Sequence, residues 1–140
     1  MLLNSNLEKI SETKTLCIKK DLMALRHWLT KLEENHQELD YLQLIHKKII
    51  QDSETAYNLQ QVRRKNTLAF ASLCKYEQEL KKVLEYSYGM YDLGLANHHE
   101  KKRVEFINTD KSFFDFKISF SKVQKIFSFS IWFFILLIFF

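Results

Sequence analysis

The sequence predicts an all-α protein of long coiled-coil helices, with a hydrophobic C-terminal segment after them. Three observations lead there. The 140 residues contain no proline and two glycines, Gly89 and Gly94, where ordinary usage would bring about seven and about ten. Two runs of residues recur at alternating steps of three and four, the seam of a coiled coil. The composition then changes abruptly near residue 105. Proline is the residue helix interiors exclude most strongly, because its ring removes a donor and clashes with the preceding turn. Glycine-rich phosphate cradles and the tight turns of β-sandwiches need residues that are missing here.

Residues 1–18 read as a weakly helical lead-in. Leu2 and Leu3 give way at once to Asn4, Asn6 and Glu8, so no secretory signal is expected. Helix 1 is predicted over 19–50, from Leu22, Leu25, Leu29, Leu32, His36 and Leu39, with Trp28 flanking that seam. The stripe continues through Leu42, Ile45 and Ile49, but the step from 39 to 42 is three where the heptad requires four. Residues 51–55 are predicted as a turn, with Asp52 or Ser53 as the N-cap of the second helix.

Helix 2 is predicted over 56–104. Its seam is Leu59, Val62, Asn66, Ala69, Leu73, Tyr76, Leu80 and Val83, extending to Ser87 and Met90. Phe70, Leu84 and Tyr91 fall beside it, which widens the apolar stripe beyond the needs of two helices. Asn66 in an apolar seam favours one register, because only the correct pairing lets it hydrogen-bond. The two helices suggest an antiparallel hairpin. The alternative is one continuous rod, since residues 51–55 hold neither Gly nor Pro.

Eleven of the twelve phenylalanines lie between Phe106 and Phe140. Residues 105–125 read as a linker rich in Phe and Lys, without heptads. Residues 126–140 carry no charge and contain Ile126, Ile131, Trp132, Phe133, Phe134, Ile135, Leu136, Leu137, Ile138, Phe139 and Phe140, a candidate membrane segment preceded by Lys117, Lys122 and Lys125. Fifteen residues reach only about 22 Å against a hydrocarbon core of about 30 Å, so a span must begin near Ser121 with its lysines snorkelling. Two other readings stay open: an aromatic segment that docks on a partner, or an unselected C-terminus, since Phe, Ser, Ile and Leu are what a pyrimidine-rich tract encodes.

No set of residues carries a recognisable catalytic chemistry. His99-Glu100-Lys101-Lys102-Arg103 begins like a zinc-hydrolase helix but places arginine where the second histidine is required. Cys17 and Cys74 are isolated and expected to be reduced. Arg63-Arg64-Lys65 before heptads superficially resembles a basic-zipper factor, but three basic residues inside a seam make a poor match. The net charge of +4 is spread over interleaved signs, so nucleic acid is not an expected partner. Heptads before an apolar C-terminus also resemble vesicle-fusion SNARE proteins, in which the heptads run straight into the membrane helix; here 105–125 intervenes.

The expectation is a non-enzymatic assembly subunit. Its seam residues Leu22, Leu25, Leu29, Leu32, Leu39, Leu59, Val62, Asn66, Ala69, Leu73, Tyr76, Leu80 and Val83 would meet other coiled-coil chains or a second copy, in a cytoplasmic, cytoskeletal, centrosomal or ciliary setting. The alternative is a tail-anchored tether on the cytosolic face of a membrane. No catalytic residue, metal, cofactor or small-molecule substrate is expected.

Overall fold

The computed structural model describes residues 1–86 and 91–139, which form three long helices and no strand. Helix α1 is Leu2–Ile45, continued by a π-helical turn His46–Ile50; α2 is Ser53–Tyr86 and α3 is Leu93–Phe139. The lead-in 1–18 therefore belongs to α1 almost from its first residue. Ser87, Gly89 and Met90 of the predicted second helix and Phe140 of the candidate membrane segment lie outside the described residues.

The first break lies within the expected turn and has a local cause. Gln51 adopts the left-handed conformation, with φ of 49°, and its N–H donates to the His46 carbonyl at 2.9 Å, closing the π-helical turn. Asp52 Oδ2 then accepts from the Thr55 N–H at 3.0 Å and from the Thr55 hydroxyl at 2.7 Å, which satisfies a donor the new helix would leave unpaired. These bonds, that of the Thr55 side chain first, hold the Asp52 carboxyl below its usual pKa. The helix is thus interrupted within residues 51–55. The wide turn also shifts the inward position by one: Ile50 is buried, whereas Ile49, which continues the heptad stripe, is exposed.

A second break departs from the sequence expectation. In place of one helix over 56–104 there are two, because Tyr91 and Asp92 are not helical and Asp92 Oδ1 accepts from the Leu95 N–H at 2.8 Å, capping α3. The stretch 105–125, expected as a linker, is continuous helix inside α3. The reason lies in its spacing. Phe106, Thr109, Phe113, Phe116, Phe120, Val123 and Phe127 succeed one another at steps of three and four, and all seven are buried or half-buried.

The helices pack side by side. From α1 to α2 the contacting residue numbers run in opposite directions, with Leu32 beside Asn66 and Asp40 beside Arg63. From α1 to α3 they rise together, through Asp21 with Tyr91, Trp28 with Phe106, Asn35 with Asp110 and Glu38 with Lys117. One apolar cluster joins Ile18, Leu22, Leu25, Trp28 and Leu32 to Ala69, Leu73, Tyr76 and Leu80. A second joins Leu39, Ile50 and Leu59 to Phe113, Phe116 and Phe120. Each such side chain gains about 1.5–3 kcal/mol from leaving water, so α3 is held chiefly by its phenylalanines.

Helix α1 has two neighbours, which corrects one detail of its predicted seam. His36 is exposed and Asn35 is fully buried. Asp21, Trp28 and Asn35, seven residues apart, all turn toward α3, so the buried arc of α1 is rotated and widened beyond a two-helix stripe.

Candidate functional site

The bundle interior holds a polar cluster built by all three helices. Asp21 comes from α1, Tyr76 from α2, and Tyr91 and His99 lie just before and within α3. The Tyr91 hydroxyl donates to Asp21 Oδ2 at 2.9 Å, and His99 Nε2 lies 3.5 Å from Asp21 Oδ1. Burial holds His99 below its ordinary pKa despite the opposing pull of Asp21. With its proton on Nε2 facing that carboxylate, Nδ1 accepts from the Tyr76 hydroxyl at 3.0 Å. Trp28 stacks on the His99 ring, with centroids 5.0 Å apart.

A carboxylate, an imidazole and a hydroxyl in line resemble a nucleophile relay only on paper. Tyr76 is 1% exposed, and burial, reinforced by Asp21, pushes its pKa up, the wrong direction for a nucleophile. Burial and the bond to Asp21 likewise push Tyr91 up to about 12. What this geometry does is fix the register of α3 against α1 and α2. Asn35 and Asn66 act alike: the Asn35 amide donates to Asp110 at 2.8 Å, and Asn66 donates to the Leu32 carbonyl at 3.0 Å.

The predicted partner seam faces inward. Leu22, Leu25, Leu32, Leu39, Leu59, Asn66, Ala69, Leu73, Tyr76 and Leu80 are buried, and Leu29, Val62 and Val83 half-buried, within this one chain. The basic triplets are largely spent on intrachain partners as well. Arg63 binds Asp40 and Gln43 at 2.8 and 2.7 Å, Lys65 binds Ser112, Lys102 binds Ser72 and Glu105, and Arg103 grips Glu100 with two bonds. Cys17 and Cys74 are free, and burial raises the Cys74 thiol. Among the described residues no three His, Cys, Asp or Glu side chains converge in a way that would hold a metal ion.

The other candidate is the far end of α3. Its inward stripe ends at Phe127, and from Ser128 to Phe139 every residue is exposed. The predicted membrane residues Ile126, Ile131, Trp132, Phe133, Phe134, Ile135, Leu136, Leu137, Ile138 and Phe139 all lie on this projecting end, between 44% and 81% exposed. An 18-residue window of α3 is long and apolar enough to cross a membrane, and none of it is buried in the bundle. The lysines Lys122 and Lys125 stand exposed at its base, whereas Lys117 is engaged with Glu38 at 3.2 Å and lies over the Phe113 ring. Composition located this segment; only the spacing of the preceding phenylalanines reveals that it rises from a packed helix. No protein family matches this chain, and no curated protein and no solved structure matches it.

Proposed function

We propose that the chain is a membrane-anchored helical bundle, with its three packed helices in water and the apolar end of α3 in a bilayer. The observation that carries this reading is the run of exposed apolar residues from Ile131 to Phe139, continuous with a helix that earlier buries Thr109, Phe113, Phe116 and Phe120 in the bundle. A contiguous apolar surface of this kind is rare on soluble monomers. Residues 128–139, beyond the last packed phenylalanine, extend about 18 Å, a little under two-thirds of a hydrocarbon core. Val123 and Phe127 pack against the apolar cluster of Leu39, Ile50, Leu59 and the buried phenylalanines, so the inserted part begins after them, and Lys122 and Lys125 sit at the headgroups on the cytosolic face. Within this reading α1 and α2 are an antiparallel coiled-coil hairpin, supported by the opposed order of their contacts, onto which α3 docks.

The test is alkaline carbonate extraction of membranes from cells that express the full chain. The expected result is retention in the pellet, and release of a Phe133→Asp/Leu137→Asp variant that keeps its helical circular dichroism. Release of the unaltered chain would remove the reading. A second reading, an assembly subunit, is favoured by a separate feature. The first turns of α1 overhang the bundle and expose Leu2, Leu3, Leu7 and Ile10, a surface for a second copy or another helical chain. Sedimentation in detergent checks it, and a strictly monomeric chain speaks against self-association.

A further inference from the structure

Resting on the membrane-anchored reading, we propose that the end of the bundle from which α3 emerges binds anionic lipid headgroups. The surface consists of Lys47 and Lys48 of the π-helical turn together with Lys122 and Lys125 of α3. The fold, rather than sequence proximity, brings these two pairs to one end. Ile50 and Ile45 share an apolar cluster with Phe120, Val123 and Phe127, so the turn that carries Lys47 and Lys48 is seated against the segment that carries the other two. All four lysines are exposed, and among the described residues none has an ionic partner.

The acidic residues of the same connection do not cancel them. Asp52, held on Thr55 as a cap, and the exposed Glu54 are two carboxylates against four lysines, so the connection keeps a positive excess. Ile49 and Tyr57 are also exposed on this connection and the first turns of α2, at 47% and 62%. An aliphatic and a phenolic side chain beside lysines suit the mixed chemistry of a headgroup layer. The occupant is a negatively charged leaflet rather than an acidic protein, because the lysines surround the root of a helix end that itself requires lipid. Each lysine held at an anionic surface strengthens partitioning about fivefold, an effect that added salt screens.

The experiment partitions the full chain between detergent-free phosphatidylcholine vesicles with and without phosphatidylserine, using flotation and the emission of Trp132. Trp132 is 68% exposed and Trp28 is 7% exposed, so the emission shift reports the projecting end. The expected result is insertion into both vesicles with a strong preference for the anionic ones. Lys47→Gln/Lys48→Gln should cut that preference about 25-fold without changing insertion into neutral vesicles, and Lys122→Gln/Lys125→Gln should cut it similarly. Lys19→Gln/Lys20→Gln, exposed at the opposite end, should not. Equal partitioning of the unaltered chain onto both vesicles, or an equal loss from the Lys19/Lys20 pair, overturns the proposal while leaving the anchor intact. Absence of any Trp132 shift on either vesicle overturns the anchor instead; flotation on anionic vesicles alone would then still uphold the lysine surface, and no flotation at all would overturn both.

Discussion

Replacing Phe113 with alanine asks whether residues 105–125 belong to the bundle. Phe113 is 2% exposed and packs among Leu39, Leu59, Phe116 and Phe120. Removing its ring forfeits the transfer of the side chain from water and leaves a cavity that rigid neighbours fill incompletely, a loss of about 3–5 kcal/mol. For a chain of this length that lowers the thermal midpoint by about 10 °C or more. The internal control is Phe133→Ala, on the same helix but 60% exposed, where a surface change of about 0.5 kcal/mol or less is expected. Both variants are melted in the same mild detergent and monitored by far-ultraviolet circular dichroism. If the two variants melt together, α3 is not held by its phenylalanine stripe and the three-helix packing is refuted.

Three other expected outcomes concern polar groups of the bundle. Because burial lowers His99 below its ordinary 6.5, the folded state binds that proton less readily than the unfolded chain. Its contribution to stability is complete above that value and is lost progressively as pH falls from it through the lower folded-state value. Urea midpoints should therefore drop on acidification across this window, and drop less in His99→Gln; parallel pH profiles would contradict it. Asp110→Ala strands the buried Asn35 amide and should cost about 1–3 kcal/mol, with a double-mutant cycle against Asn35→Ala returning a clear coupling; purely additive losses would show that the bond contributes little. Asp92→Ala removes the acceptor at the start of α3 and should lower stability by about 1 kcal/mol, read from the same urea curves, whereas an unchanged midpoint would deny the cap a role.

The all-α class was legible because the absence of proline acts locally, residue by residue, and needs no tertiary information. The cap at Asp52 was legible for the same reason. Hidden in the sequence were features in which one signal masks another. From Phe106 to Phe127 the steps of three and four are as regular as those of α1, but the excess of phenylalanine dominates the composition, and Thr109 interrupts the apolar pattern. The exchange of His36 for Asn35 was hidden because a heptad read for one partner cannot reveal the second, and only the presence of α3 makes Asp21, Trp28 and Asn35 a face. The polar cluster around His99 joins residues from positions 21 to 99, a distance in sequence that no local motif spans. The break at Tyr91 and Asp92 carried a signal, a lone aspartate three residues before Leu95, that periodicity overrode.

The continuity of α3 has a mechanical consequence. On the proposed membrane-anchored reading, one helix is at once a wall of the bundle and the inserted segment, which leaves no hinge between them, so the bundle and the anchor tilt together. Residues 93–127 rise about 52 Å, and α1 runs in the same direction beside them. On that reading the bundle stands off the bilayer as a rigid post, with the exposed leucines at the start of α1 at its outer tip, away from the lipid. Whatever meets those leucines would be kept at a set height above the membrane, determined by the number of residues in one uninterrupted helix.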